Sequence, residues 1–211
     1  WLVKAMELIL GGGESDTRVI RIFSKTLSDL AEGEMLQLQK AQKGDTVKED
    51  YLRIIYCKTA SLFEASCVTA AIGVGASEVM EKAARDYSVA LGNAFQIRDD
   101  MLDYAGTDSV GKPLGVDILE QKITMPLLGA LASVSDEEAA RVRGLVKDIV
   151  GNPEYRDEIV DFVKDNGGLE AARAELDAYV EEAVKALDVL PDCFEKECLV
   201  ELAYFTAKRI M

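Results

Sequence analysis

The sequence predicts an all-α protein that forms a single domain. Only 4 of its 211 residues are proline, and the helix formers alanine, leucine, glutamate and lysine are abundant. Apolar side chains recur every three or four residues through most of the chain, which is the spacing of one buried helix face. No segment reaches four clean apolar–polar alternations, and no repeat or linker divides the chain. We therefore expect one helical domain over residues 1–211.

Four helices are predicted in the first half of the chain. The first, over about 1–10, ends at a run of three glycines, and the second extends from about 17 to a break at 44–46. The third covers about 48–72, and the small residues in its second half would let a neighbouring helix approach closely. The fourth, over about 77–105, carries its large apolar side chains on one face.

Shorter helices are predicted after a loop that contains Gly111 and Pro113. Asp117 can cap a short helix, and Thr124 precedes another helix, in which Pro126 is tolerated in the first turn. Four more helices are expected at about 136–150, 154–166, 169–187 and 193–210.

Composition excludes several classes of function. The chain has 24 basic and 38 acidic side chains, and the net charge of −14 argues against nucleic acid or an anionic membrane as a partner. The absence of histidine excludes histidine-based catalysis and histidine-ligated zinc. The longest uncharged runs have thirteen residues, so no transmembrane segment is expected.

The cysteines indicate a cellular location, and the first residue indicates whether the N-terminus is complete. Its four cysteines form no C-x-x-C pair, which favours free buried thiols and a cytoplasmic location. The chain begins with Trp1 rather than methionine, so we expect its N-terminus to be incomplete.

The most informative segment is residues 95–103, which read Phe-Gln-Ile-Arg-Asp-Asp-Met-Leu-Asp. Asp99 and Asp103 lie about 40° apart on one helix face, with Asp100 beside them and Gln96 one turn earlier. Like charges at this spacing, close to a helix C-terminus, are destabilising, so we expect a cation to compensate them. Carboxylate oxygens suit Mg²⁺, which bridges one or two carboxylates to substrate phosphates.

Three lysines provide the complementary charge. Lys112 and Lys122 follow the acidic cluster closely, and Lys58 stands beside Thr59 within an otherwise apolar helix. Ammonium groups for a polyanion, carboxylates for a metal and apolar helices around them fit a diphosphate with a hydrocarbon tail. The alternative is a solvated acidic face, which is how we interpret the similar acidic run at 157–161.

Five motifs in one order resemble those of a known family: GE..Q at 33–37, KT at 58–59, FQ..DD..D at 95–103, GK..G.D at 111–117 and K.T.P at 122–126. The chain resembles the trans-isoprenyl diphosphate synthases (polyprenyl synthetases). It is similar to longer-chain bacterial members, such as octaprenyl or heptaprenyl synthases. The resemblance implies an antiparallel helical bundle of the isoprenoid synthase type that lacks its N-terminal helices, and an Mg²⁺-dependent homodimer.

The same resemblance implies a reaction and a role for each matching residue. The enzyme would condense isopentenyl diphosphate with an allylic diphosphate, by ionisation of the allylic substrate, to give a longer trans-polyprenyl diphosphate. Asp99 would bind Mg²⁺ directly, with Asp103 acting through water and Asp100 in support. Substrate would be bound by six residues, all of them except Phe95 also acting in catalysis: Lys58, Thr59, Phe95, Gln96, Lys112 and Lys122.

The sequence departs from the family pattern in one respect. The family has a first aspartate-rich motif followed by an arginine pair, with basic residues for isopentenyl diphosphate further upstream, and none of these occurs here. The product length therefore cannot be deduced, and the fragment alone is expected to be inactive or impaired. A non-catalytic helical partner subunit of a prenyltransferase is the alternative function, and an acidic bundle without a ligand is the third.

Overall fold

The computed structural model describes residues 17–105 and 115–208, together with Lys4. This part of the chain contains helices and no strand. The α-helices are α1 (Thr17–Lys43), α2 (Lys48–Ile55), α3 (Ser61–Gly73), α4 (Glu78–Ala105), α5 (Val116–Leu119), α6 (Met125–Ala132), α7 (Asp136–Asp148), α8 (Tyr155–Asp165), α9 (Gly168–Ala186) and α10 (Phe194–Lys208). The all-α prediction is confirmed, whereas the predicted helix at 1–10 lies outside the described residues except for Lys4.

The long helix α4 lies at the centre of the bundle. It packs most extensively against α9 and α3, and α9 in turn packs against α6. Ala94 and Ile97 of α4, Leu176 of α9 and Leu127 of α6 are completely buried in this shared core. Apolar burial of this kind is the main favourable contribution to folding, so it holds the acidic C-terminal part of α4 in a fixed position.

A π-helical turn, Tyr56–Ala60, connects α2 to α3 without a break, and we call it the π segment. The sequence predicted one uninterrupted α-helix here, and the structure differs by this wider turn. A π turn inserts a residue into the helical repeat and changes the direction in which the following side chains point. Lys58 and Thr59 both lie in it.

Two other predictions are corrected by the structure. Gly115, with a φ of 72°, occupies the N-cap position of α5, while Asp117 lies in the first turn of that helix instead of capping it. All four cysteines are free, but Cys193 and Cys198 are exposed, so the expectation of buried thiols is wrong for these two. Both lie at or near the beginning of α10, the final helix.

Most helix ends follow the expected local signals. The hydroxyl of Ser135 accepts a hydrogen bond from the backbone N–H of Glu138 and caps α7, and Pro126 lies in the first turn of α6.

None of the described helices is both long enough and apolar enough to cross a membrane.

Candidate active site

A cavity of about 250 Å³ lies where α1, α2, the π segment and α4 meet the chain around α5. Five residues singled out from the sequence line it together: Lys58, Gln96, Asp99, Asp100 and Lys122. Its other polar lining residues are Gln37, Thr46, Tyr51, Asp117, Glu120 and Thr124. Ammonium and carboxylate groups that are far apart in the sequence thus converge on one cavity.

Two glycines allow neighbouring helices to approach the π segment on either side. A Cβ atom on Gly92 of α4 would lie 2.6 Å from the Cα of Ala60, and one on Gly33 of α1 would lie 2.6 Å from the Cβ of Cys57. Real side chains do not approach so closely, so both positions require glycine for this packing. The backbone of the π segment therefore occupies the space beside Gly92.

Four side chains form a hydrogen-bonded network at the cavity: Tyr51, Gln96 and Asp100 line it, whereas Thr59, a predicted site residue, does not. The phenol of Tyr51 donates to Oδ2 of Asp100 at 2.6 Å, and Nε2 of Gln96 donates to Oδ1 of the same carboxylate at 2.9 Å. The hydroxyl of Thr59 donates to Oε1 of Gln96 at 2.7 Å. These hydrogen bonds link α2, α4 and the π segment through polar side chains, and we call the four residues the Tyr51 network.

The two buried ionisable groups of the Tyr51 network, Asp100 and Tyr51, have shifted pKa values. Burial raises the pKa of Asp100 to about 7; the Asp117 and Asp99 carboxylates add to the shift, and the hydrogen bonds from Tyr51 and Gln96 oppose it. Burial, followed by the negative charge of Asp100, raises the pKa of Tyr51, so the phenol remains protonated and acts as a donor.

Lys58 and Lys122 bring positive charge to the cavity from opposite parts of the chain. Nζ of Lys58 donates to Oε1 of Gln37 at 3.3 Å. Nζ of Lys122 lies 2.9 Å from Oδ1 of Asp117 and 2.5 Å from Oε2 of Glu120. Burial alone would lower the pKa of Lys122, but the two carboxylates outweigh it and raise the pKa, so this side chain stays an ammonium group.

Comparison with known proteins supports the interpretation of these motifs. A family model described as polyprenyl synthetase matches residues 1–163. The chain belongs to the polyprenyl synthetase family. Octaprenyl diphosphate synthases from Haemophilus influenzae and Escherichia coli are each 37% identical to it, over 193 and 194 residues. These alignments cover 91% of this chain and only 58% and 59% of the two relatives, so the chain spans less than two thirds of their length.

Solved structures of polyprenyl synthases share this fold. A polyprenyl synthase from Roseobacter denitrificans superposes with a TM-score of 0.88 at 31% identity, covering 98% of this chain and 67% of that one. A polyprenyl synthase from Caulobacter crescentus, complexed with calcium and isoprenyl diphosphate, superposes with a TM-score of 0.87 at 32% identity. That superposition covers 99% of this chain and 63% of that one. The isoprenoid synthase type of bundle predicted from the motifs is therefore confirmed.

Within this polyprenyl synthetase fold, Asp103 has a contact that the sequence did not reveal. Its Oδ1 accepts the backbone N–H of Val116 at 3.1 Å, and its Oδ2 accepts that of Asp117 at 3.0 Å. The side chain is buried and does not line the cavity. Asp103 thus joins the end of α4 to the beginning of α5, and its part in metal binding stays a prediction.

Replacement of Asp103 by alanine is expected to lower the free energy of unfolding by about 0.5–2 kcal/mol, as for a lost helix cap. Because α5 carries cavity groups, affinity for inorganic diphosphate should fall as well. Urea denaturation and calorimetric titration measure the two effects. Ser135→Ala removes the cap of α7, away from the cavity, and should cost stability alone. A fall in affinity of the same size in both variants would contradict this assignment.

Two further residues that were predicted to bind substrate are not among the described lining residues of the cavity. Phe95 is partly exposed and packs on Phe63, with ring centroids 5.7 Å apart, and the guanidinium of Arg98 lies 4.6 Å from its ring. Lys112 lies outside the described residues. The substrate-binding roles of Phe95 and Lys112 stay predictions.

The acidic run at 157–161 lies on α8, on the surface, as predicted. Asp157 pairs with Arg156 at 2.7 Å, and Glu158 pairs with Arg141 at 2.5 Å. Asp161 is exposed. Similar spacing of acidic residues therefore has different surroundings in the two helices: Asp99 and Asp100 of α4 line the cavity, whereas the α8 run forms surface ion pairs.

The donor set of the cavity fits a magnesium ion held jointly with substrate. Asp99, Asp117 and Glu120 bring carboxylate oxygens to its wall, and Mg²⁺ needs only one or two carboxylates when waters and phosphates complete its shell. Among the described residues no three acidic or thiol side chains are grouped closely enough to hold a metal by themselves.

Sequence reasoning missed Tyr51 and Asp117 as cavity residues. Tyr51 is an apolar-stripe residue by its sequence position, but it lies seven residues before Lys58 and lines the cavity with it. The cap predicted at Asp117 is replaced by an ion pair with Lys122, five residues later.

Proposed function

We propose that this chain carries the allylic-diphosphate site of a polyprenyl diphosphate synthase, which condenses isopentenyl diphosphate with an allylic diphosphate to give a longer trans-polyprenyl diphosphate. The observation that carries the proposal is the convergence of Lys58, Lys122 and the Asp99 carboxylate on one cavity. These are the groups needed to bind a diphosphate and to stabilise its departure.

Each residue has a defined part in this reaction. Lys58 and Lys122 would hold the allylic diphosphate and stabilise the charge that it gains as its carbon–oxygen bond breaks, with Lys112 proposed as a third cation. Asp99, together with Asp117, would hold Mg²⁺, which when bound neutralises charge on the diphosphate. The alkene of isopentenyl diphosphate then attacks the allylic carbon, and a proton is lost from the adduct to the released diphosphate.

An apolar groove offers a place for the hydrocarbon tail. It has a volume of about 270 Å³ and lies between α1 and α3. On α3 its lining residues are Leu62, Ala65, Ser66 and Thr69, which continue the helix face of Lys58 away from the cavity. On α1 the groove residues Leu30, Phe23 and Val19 continue the face of Gln37 in the same way. A diphosphate at the polar end would direct its tail along this groove.

The balance of charge in the cavity explains why a metal ion would be required. The carboxylates of Asp99, Asp117 and Glu120 outnumber its two ammonium groups, and Asp100, whose pKa is raised to about 7, adds partial negative charge near neutral pH. A diphosphate would be repelled by this excess of negative charge unless divalent cations entered with it. We therefore propose strict Mg²⁺ dependence of substrate binding.

We also propose that the protein acts as a homodimer. Ile20, Leu27, Met35 and Leu38 are exposed and lie on one face of α1, so a second helix could pack along it. Two relatives are named heptaprenyl diphosphate synthase component 2, from Geobacillus stearothermophilus at 32% identity and from Bacillus subtilis at 30%. Those names favour, as the alternative, a chain that works with a different subunit, either as its catalytic partner or as a non-catalytic one.

A thermal-shift experiment tests the proposal directly. Inorganic diphosphate or a non-ionisable allylic thiolodiphosphate, added with Mg²⁺ at about 100 times its Kd, should stabilise the protein by about 2.7 kcal/mol. Neither Mg²⁺ alone nor the ligand with a chelator should do so. Incorporation of label from isopentenyl diphosphate into a longer polyprenyl diphosphate then measures catalysis.

The outcomes separate the three functions considered. Binding with turnover supports the synthase, whereas binding without turnover, restored by a second subunit, supports the partner role. If diphosphate and Mg²⁺ together leave the melting temperature unchanged, the protein is a helical bundle without this ligand, and the proposal is wrong.

A further inference from the structure

The side-chain amide of Gln96 has a fixed orientation in the cavity. The two ends of such an amide have nearly the same shape, so packing alone does not decide which end points where. Here Nε2 faces Asp100, whose carboxylate accepts, and Oε1 therefore faces Thr59, which donates its hydroxyl hydrogen. The carbonyl oxygen of Gln96, a cavity residue, thus points to the hydroxyl of Thr59 in the π segment.

The orientation of Gln96 depends on a group that does not itself reach Gln96. Oδ2 of Asp100 accepts the phenolic hydrogen of Tyr51 at 2.6 Å, which holds the carboxylate in one rotamer and presents Oδ1 to Gln96. Tyr51 and Asp100 are only 3% and 4% exposed, so water has little access to replace the phenol. A tyrosine on α2 therefore controls the direction of a dipole on α4.

We propose that Tyr51 is a positioning residue for prenyl transfer: through Asp100 it orients the Gln96 carbonyl towards the reacting allylic carbons. The inference rests on the proposed function. A carbonyl oxygen presents the negative end of its dipole, which stabilises the positive charge that develops when the allylic diphosphate ionises. A reversed amide would present N–H groups, the positive end, at the same place. The effect belongs to the transition state, since the bound diphosphate is not yet ionised.

A pair of tyrosine variants tests this role. Tyr51→Phe removes the phenolic oxygen, and with it the hydrogen bond to Asp100, and keeps the aromatic ring. Tyr87→Phe is the matched control, because Tyr87 is also 3% exposed and its phenol donates one hydrogen bond, to the carbonyl of Leu199 at 2.9 Å, away from the cavity. Both variants should have similar melting temperatures. Loss of a group that orients a reacting side chain is expected to lower kcat about 10–100-fold in Tyr51→Phe and not in Tyr87→Phe.

Three further readouts separate positioning from a general structural effect. In Tyr51→Phe, the KM for both substrates and the Mg²⁺ concentration for half-maximal rate should stay within about twofold of wild type. In a Gln96→Met background, where the amide is gone, Tyr51→Phe should cause no further loss, because coupled residues are not additive. Binding of the allylic thiolodiphosphate should be unchanged.

The results discriminate sharply between the hypotheses. The inference is overturned if Tyr51→Phe turns over like Tyr87→Phe, if its effect multiplies with that of Gln96→Met, or if it acts by raising the Mg²⁺ requirement. If wild type and Tyr87→Phe both lack prenyl transfer, the proposed function itself has failed and the inference with it. Full wild-type activity with an inert Tyr51→Phe substitution removes the inference alone.

Discussion

Asp99→Asn is expected to lower the turnover of isopentenyl diphosphate with an allylic primer by a hundredfold or more. Asp99 lines the same cavity as Lys58 and Lys122, and its carboxylate is the group that we propose as a magnesium ligand. An amide of the same shape has no charge to hold the metal, so the departing diphosphate would lose most of its neutralisation. Steady-state kinetics over a range of Mg²⁺ concentrations provide the measurement.

The acidic run on α8 provides a control for this substitution. Asp161→Asn removes the same charge from an exposed position in a similarly spaced run, and it should leave kcat and the Mg²⁺ requirement unchanged. If both variants lose activity equally, the effect reflects net charge and not a metal site. If Asp99→Asn retains more than about a tenth of the wild-type rate, Asp99 is not a direct ligand.

The fold was predictable because helices bury their apolar side chains at a regular spacing. The ends of α4, α7 and α9 were predicted to within about two residues from glycine, serine and charge signals. The π segment was not predicted, since one extra residue in a turn hardly disturbs an apolar pattern that already alternates between three and four. The π segment lies against Gly33 of α1 and Gly92 of α4, and a local apolar pattern contains neither of these tertiary contacts.

The cavity was predictable where chemistry breaks the helical pattern. Lys58 in an apolar helix and Asp99 in an acidic run near a helix end were recognisable because each is unfavourable without a partner. Tyr51 gave no such signal, since a tyrosine in an apolar stripe is ordinary core. The contact of Asp103 with the backbone of α5 joins residues thirteen and fourteen positions apart, and no local sequence pattern contains it.

Gly92→Ala is expected to impair both folding stability and catalysis. The new methyl carbon would lie 2.6 Å from the Cα of Ala60 and 2.8 Å from its Cβ, so the π segment would have to move away from α4. Overpacking of this kind costs about 1–3 kcal/mol, and the melting temperature should fall by several degrees. The hydrogen bond of Thr59 to Gln96 spans the same contact, and a displacement of about 1 Å there can lower kcat about a hundredfold.

Gly144 of α7 provides the matched control, because a Cβ there would meet no atom within 4 Å. Gly144→Ala should leave kcat unchanged and raise the free energy of unfolding by up to about 1 kcal/mol, since alanine is the better helix former. The decisive comparison is therefore between two glycine-to-alanine changes within helices of one protein. If Gly92→Ala is as stable and as active as Gly144→Ala, the π segment does not depend on close contact with α4, and Lys58 and Thr59 are positioned by some other part of the fold.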